Sequence, residues 1–476
     1  MRRSSLRLAV VSAAVIAVGG AALATAAPTP PSTAATPAAK CGPGSLPEAV
    51  QGRAPKSDVA SGRYAKGYTC NVAEIAHQGR SGGYRVERYV DEQGNECAYY
   101  DSTLLWPTSV ADQGTTGPGT YVLDMKDPAK PVVTDVLRSL AFQSPHESMR
   151  LNTKRGLLAA VFAYPTAQPG QVDIYDVSQD CRKPVLMSST PFGVLGHEGG
   201  FSPDGNTYYV GSLYFNTLTA LDVSDPRVPK PLWATDDYEP HGVSISDDGN
   251  TLYMAQATNK GGFEGLTVLD VSQVQKRVPN PQVPIVSRLT WDTVSTPQNA
   301  TPFTSRGKKY VMEIDEFGSG AAIGAARIID VEDITAPKVV SDIRLEVNRA
   351  EAQGADLEAD PGNNQAFQGY QGHYCSLPSR VDPTILACTF IMSGLRVFDI
   401  SDVTKPREIA YHNKPILPGT ATNPNRAGSF AMSAPAYDEQ TGDIWYSDGN
   451  SGFYVVRLTG SAKRPKFAGE IVNPGN

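Results

Sequence analysis

The chain has 476 residues, 40% of them hydrophobic and 19% charged, a balance that excludes a disordered chain and permits a substantial buried core. A net charge of −7 with no basic tract excludes nucleic acid and anionic lipid as natural partners. The 44 Gly, 37 Pro and 21 Tyr, with few long Leu/Ala/Glu/Lys runs, point to many short strands joined by turns, and so to an all-β class.

In chain order, the first element lies outside the fold. Arg2, Arg3 and Arg7 precede an apolar run from Leu8 to about Ala24, and Ala24-Thr25-Ala26 has the small-x-small pattern of a signal-peptidase site. Residues 1–26 are therefore expected to be a secretory signal peptide. An uncleaved anchor is the alternative, although a run made mostly of Ala, Val and Gly is a poor stop in a bilayer. No other stretch is apolar enough to span a membrane. The expected product is secreted, either released or held at the cell surface, and monomeric. Residues 27–67 read as a Pro/Thr/Ala-rich linker and N-terminal segment, with ordered structure beginning near Tyr68 and a single domain over 68–476.

The six cysteines, Cys41, Cys70, Cys97, Cys181, Cys375 and Cys388, are an even set in a chain that reads as exported, so disulfides are expected. Only Cys375 and Cys388 can be paired by a local argument, because they lie on consecutive strands of one expected hairpin. The pairing of the other four stays open.

From Thr120 onward one phrase returns: TYVLDMKDPAKP, VDIYDVSQDCRKP, LTALDVSDPRVPKP, LTVLDVSQV, ARIIDVEDITAPK, LRVFDISDVTKP and a degenerate FYVVRLTGSAKRPK. The first six carry Asp124, Asp176, Asp222, Asp270, Asp330 and Asp399, and the seventh has Arg457 instead. Repeats roughly 46 to 69 residues apart, with about four strand-like runs in each, predict a seven-bladed β-propeller. Alternating Val, Ile and Leu suit a strand packed on both neighbouring blades. The aspartate is expected to take backbone N–H groups in the following turn, a structural role. Ring closure is expected from pairing of the two ends, with CNVAEIA at Cys70 as the N-terminal contribution.

The phrase L-x-V/I-x-D-V/I-S resembles the LVIVD repeat of secreted and cell-surface bacterial propellers, over essentially everything after the linker. That resemblance implies a propeller and an extracellular setting, and says little about function.

Four of the six histidines share one place in the repeat, before the first strand of a blade: Pro145-His146, Gly196-His197, Pro240-His241 and Gly372-His373. His197 and His241 each stand eight residues before a turn glycine, Gly205 and Gly249, and the same count back from Gly307 reaches Asn299. First strands line the channel of a propeller, so His146, His197, His241, Asn299 and His373 are expected to converge at one face. Imidazoles in that number suit Cu, Zn or Fe. Glu147 and Glu198 follow two of the histidines, and strand alternation should turn them away from the axis, towards a supporting role. His77 and His412 lie outside the register and are expected at the surface.

The loops joining second to third strands should open on the same face, with Asp315 and Glu316 at one of them. Two longer insertions, 345–372 and 417–428, are candidate lids. No nucleophile elbow, H-E-x-x-H helix, P-loop or dinucleotide fingerprint is present in the sequence.

Three readings follow from the residues. One is a secreted propeller that binds a metal or small ligand at the channel mouth in recognition of an extracellular ligand or protein. A second is a copper-type metal-dependent oxidoreductase, since the Pro-His entrances to inner strands are similar to those of the selenium-binding protein and methanethiol oxidase propellers. The third is a structural interaction scaffold in which the histidines only tie blades together.

Overall fold

A computed structural model describes residues 34–102, 119–162, 170–194, 196–213, 215–258, 262–318, 323–352, 354–360, 369–414, 428–438, 440–460 and 462. The expected signal segment 1–26 and nearly all of the 417–428 insertion lie outside the described residues.

Seven antiparallel sheets follow one another in sequence as the blades of a β-propeller. The first six occupy residues 86–137, 150–190, 198–235, 240–289, 297–343 and 372–413. The seventh takes three strands from 436–458 and its outermost strand, Val72–Gln78, from the other end of the chain. Val72 stands opposite Leu458 and Gln78 opposite Phe453, which closes the ring as the CNVAEIA segment foretold.

Each repeated phrase is the third strand of its blade, and its side chains divide between two neighbours. In Ala326–Asp330, Ile328 joins the core shared with the sixth blade, while Ile329 joins the core shared with the fourth. In Thr217–Asp222, Leu218 and Ala220 face the fourth blade and Leu221 the second. Among the described residues, one such core fills each of the seven blade junctions. A strand apolar on both faces has no solvent side, which is why these strands read as nearly continuous hydrophobic runs.

The aspartates end those strands as expected. Asp124 Oδ1 accepts from Lys126 N at 2.9 Å, Asp176 from Ser178 N at 2.8 Å, Asp222 from Ser224 N at 3.0 Å and Asp270 from Ser272 N at 2.9 Å. Asp330 and Asp399 repeat the bond to Glu332 N and Ser401 N, each at 2.9 Å. Each carboxylate satisfies the amide two residues on and stops the strand. Arg457, at the seventh position, turns to Asp443 of its own blade at 2.6 Å.

Ordered structure begins earlier than the composition suggested. Thr36 N donates to Arg344 O at 2.8 Å and Glu408 N to Pro37 O at 2.9 Å, so the chain is fastened to the fifth and sixth blades well before Tyr68. The reason is electrostatic: the fully buried Arg396 pairs with Glu48 of this segment at 2.7 Å and with Glu408 at 3.1 Å, and a buried cation needs such partners. Disulfides Cys41–Cys70, Cys97–Cys181 and Cys375–Cys388 use all six cysteines. Cys375 and Cys388 are direct partners in the register of the sixth blade, as the hairpin required.

Replacing Asp270 by Ala is expected to lower unfolding free energy by about 1 kcal/mol, the worth of one such hydrogen bond. Urea unfolding of Asp270→Ala beside the parent measures it, and a loss several times larger would mean the carboxylate does more than end a strand.

Candidate metal centre

Small irregularities in the inner strands aim the histidines. In the fourth blade Pro240 pairs with Gln256 and Gly242 with Ala255, which leaves His241 as the extra residue of a bulge. His373 is the extra residue between Gly372 and Tyr374 in the sixth blade. Each Nδ1 then meets a main-chain carbonyl of the next blade, Pro297 O at 2.9 Å and Met432 O at 2.6 Å. A carbonyl only accepts, so Nδ1 carries the hydrogen in both rings and Nε2 faces the channel.

His146 is placed by a turn. Ser148 N donates to Pro145 O at 3.0 Å, and His146 takes the left-handed conformation, φ 51°. That conformation is uncommon and costly for a residue with a Cβ. It also breaks strand alternation, so Glu147 turns inward beside the histidines instead of away from the axis. The expectation of an outward Glu147 is thereby corrected. Glu316 is held by its main chain: its N donates to Thr296 O at 3.0 Å, its O accepts from Ser295 Oγ at 2.5 Å, and Phe317 beyond it has φ 50°.

The result is a buried cluster from five blades, the second to the sixth. Glu147 Oε2 lies 2.9 Å from His197 Nε2, 3.7 Å from His146 Nδ1 and 3.7 Å from His241 Nε2. His373 Nε2 stands between two carboxylates, 3.2 Å from Glu147 Oε1 and 3.3 Å from Glu316 Oε1, and Glu316 Oε2 is 3.6 Å from His241 Nε2. Ligand atoms of His146, Glu147 and His197 all fall within 4.8 Å of one another. The most accessible of these side chains, His146, is 7% exposed. Tyr84, from the segment entering the first blade, packs its ring 4.3 Å from His146 and 5.4 Å from His373.

Charge in this space is tightly constrained. Burial pushes His146 well below the ordinary imidazole range, with His197 adding to it, and the same two causes push His241 down to about 3. For His373 burial works against the charged form, but Glu316 and Glu147 outweigh it and raise the group to about 9. Glu147 stays well below the usual carboxylate range because His197 and His146 overcome its burial, whereas burial raises Glu316.

Other expectations fare differently. The residue equivalent to His241 and His373 in the fifth blade is Gln298, the extra residue between Pro297 and Asn299. Asn299 is one position too far, with its Oδ1 accepting from Thr301 Oγ1 at 2.8 Å. The count from Gly307 fails because that hairpin has longer strands and a two-residue turn, Arg306-Gly307, with φ 51° and 75°. Asp315 lies outside the cluster, fixed by Arg327 Nη2 at 2.8 Å and Trp291 Nε1 at 2.9 Å. Glu198 is buried a layer deeper in the channel, on Arg85 and Arg150. His412 is buried rather than on the surface, bonded to Tyr446 Oη at 2.7 Å, while His77 is exposed and stacked on Tyr454. Tyr84 and Arg85 escaped sequence reading because the first blade has no histidine to mark its entrance.

One more buried group supports that entrance. Asp101 Oδ1 accepts from Tyr84 N at 3.0 Å, and burial raises its carboxyl to about 8.

Neither a protein-family model nor a curated protein matches the chain. Among solved structures it is similar to the periplasmic gluconolactonase of Pseudomonas aeruginosa, at 14% identity over 74% of this chain and 95% of that one, TM-score 0.47. It is also similar to hydrazine synthase of Kuenenia stuttgartiensis, at 13% identity over 81% and 97%, TM-score 0.49. A functionally unknown protein from Desulfotomaculum acetoxidans aligns at 12% identity over 70% and 90%, TM-score 0.45. Likenesses of this size carry no inference about chemistry. The chain is a seven-bladed β-propeller with a buried imidazole-carboxylate cluster at one end of its channel.

Asp101 gives the entrance a testable pH dependence. Its folded-state pKa of about 8 lies above the ordinary value near 4, so the native state holds a proton that the unfolded chain has lost. Its contribution is therefore greatest at low pH and falls as pH rises through that window. Urea midpoints from pH 4 to 8 should fall less steeply in Asp101→Asn, which keeps the oxygen facing Tyr84 N, than in the parent; parallel curves would refute the assignment.

Proposed function

We propose that this chain is an exported propeller of the LVIVD-repeat type that binds one transition-metal ion, Cu, Zn or Fe, at the mouth of its channel. His146, His197, His241 and His373 would hold the ion, with Glu147 and Glu316 beside them. The observation that carries this reading is the fixing of His241 and His373 through Nδ1 onto main-chain carbonyls, which leaves Nε2 of both directed into the cluster. Metal-binding imidazoles are oriented by such bonds to the second ring nitrogen. A ring that merely tied blades together would have no need to bring four imidazoles and two carboxylates to one buried point, where each costs desolvation.

Nitrogen-rich donors with carboxylates suit these three metals over calcium or magnesium. The ion would supply Lewis acidity and an open position for an extracellular ligand, while the protein's own groups hold the donors apart and exclude water. Arg2, Arg3, Arg7 and the apolar run after them support export, as do the three disulfides.

Metal analysis of the purified, processed protein should find about one equivalent of Cu, Zn or Fe per chain. The His197→Ala/His241→Ala variant should lose it while remaining folded by circular dichroism. No metal in the parent, after supply of all three ions during expression, would overturn the proposal. Oxygen uptake with a thiol by the metal-loaded parent alone would place the site among oxidoreductases; its absence leaves recognition as the task.

A further inference from the structure

Directly beneath the cluster, five blades interlock through one layer of buried polar side chains. Arg85 Nη2 donates to Glu198 Oε1 at 2.5 Å and to Oε2 at 3.0 Å, and Arg150 Nη2 donates to Glu198 Oε2 at 2.7 Å. The same two guanidiniums converge on one main-chain atom: the carbonyl of Glu147 accepts from Arg85 Nε at 3.1 Å and from Arg150 Nη1 at 2.7 Å. Tyr374 Oη reaches Glu198 Oε2 at 3.5 Å and accepts from Gln298 Nε2 at 2.9 Å, and Arg85 lies 4.2 Å over the Tyr374 ring. The side chains of Arg150, Glu198 and Tyr374 are fully buried, and Arg85 is 2% exposed.

This layer explains how the turn at His146 persists. A left-handed histidine needs surroundings that over-determine it. Two charged forks gripping the next carbonyl supply that constraint, and they set the direction in which the Glu147 side chain leaves the backbone. Glu198 keeps both forks in place and neutralises one of their charges.

Resting on the metal-site reading above, we infer that Arg85 and Arg150, paired through Glu198, are positioning residues for the metal centre: by clamping the Glu147 carbonyl they aim its carboxylate among the imidazoles. Neither arginine contacts the ion in this scheme.

Arg85→Lys tests it, because lysine keeps the charge opposite Glu198 but cannot span Glu198 and the Glu147 carbonyl together. Cobalt(II) is the probe, since its visible absorption reports the ligand field. The variant should bind cobalt about tenfold to a hundredfold more weakly than the parent, as loss of an outer-shell partner typically does, with a changed absorption envelope. In the metal-free protein the ring ¹⁵N shifts of His197, which contacts Glu147, should also move. Cobalt affinity, spectrum and His197 shifts all equal to the parent's would overturn the inference. A parent that binds no cobalt would remove the metal-site reading, and the metal-free His197 shifts would still decide whether Arg85 positions Glu147. If Arg85→Lys fails to fold, Arg150→Lys takes its place with the same expected changes and the same refutation.

Discussion

Everything at the channel mouth depends on ring closure. The strand Val72–Gln78 completes the blade whose other strands lie within 436–458, and without it the junction with the first blade would lose the cover that Ala76 and Ile75 give it. Each blade packs one face on each of its two neighbours, so the ring becomes a single body only when the last junction fills. The core between seventh and first blades, with Trp445, Phe453, Tyr100 and Leu123, is that junction. The convergence of imidazoles is a property of the closed circle and of no single blade.

Within the circle, structural and functional features sit on different parts of the repeat. The third strand and its terminal aspartate are alike in six blades because every blade needs two packed faces and a stop. The entrance to the first strand differs from blade to blade: Tyr84, a left-handed His146, His197, then bulged His241, Gln298 and His373. The repeated frame holds positions constant, so variation at its inner rim becomes a set of donors. Electrostatics then keeps that set together, since Glu316 and Glu147 outweigh the burial of His373 while His197 and His146 outweigh that of Glu147.

Much of this was legible in the residues, for reasons that also mark where legibility stops. The aspartates recur at one offset from an alternating apolar run, and local hydrogen bonding does the rest, so Asp270 and its counterparts could be read one by one. The convergence of the four histidines followed from their common place before inner strands. Asn299 was reached by counting from a glycine, and a tighter hairpin shifted the true equivalent to Gln298. Glu147 was assigned to the wrong side because alternation assumes extended backbone, and a left-handed histidine leaves no mark in composition. Arg85 and Arg150 were invisible, because their partner Glu198 lies in another blade and nothing in sequence spacing encodes a contact across the channel. The depth of His412 was missed for the same reason: Tyr446 comes from the next blade.

The closing strand also imposes an order in time. Synthesis from the N-terminus produces Val72–Gln78 long before Gly452–Leu458, so one of the earliest strands must wait for the last to find its partner. Pairing at such sequence separation is slow, because loop-closure entropy is met before the contact rewards it. Arg85 and Glu147 come from early blades and His373 from a late one, so the cluster is assembled from both ends of that wait. Nascent chains cut short before the seventh blade would carry all four histidines and still lack a finished ring to bring them together.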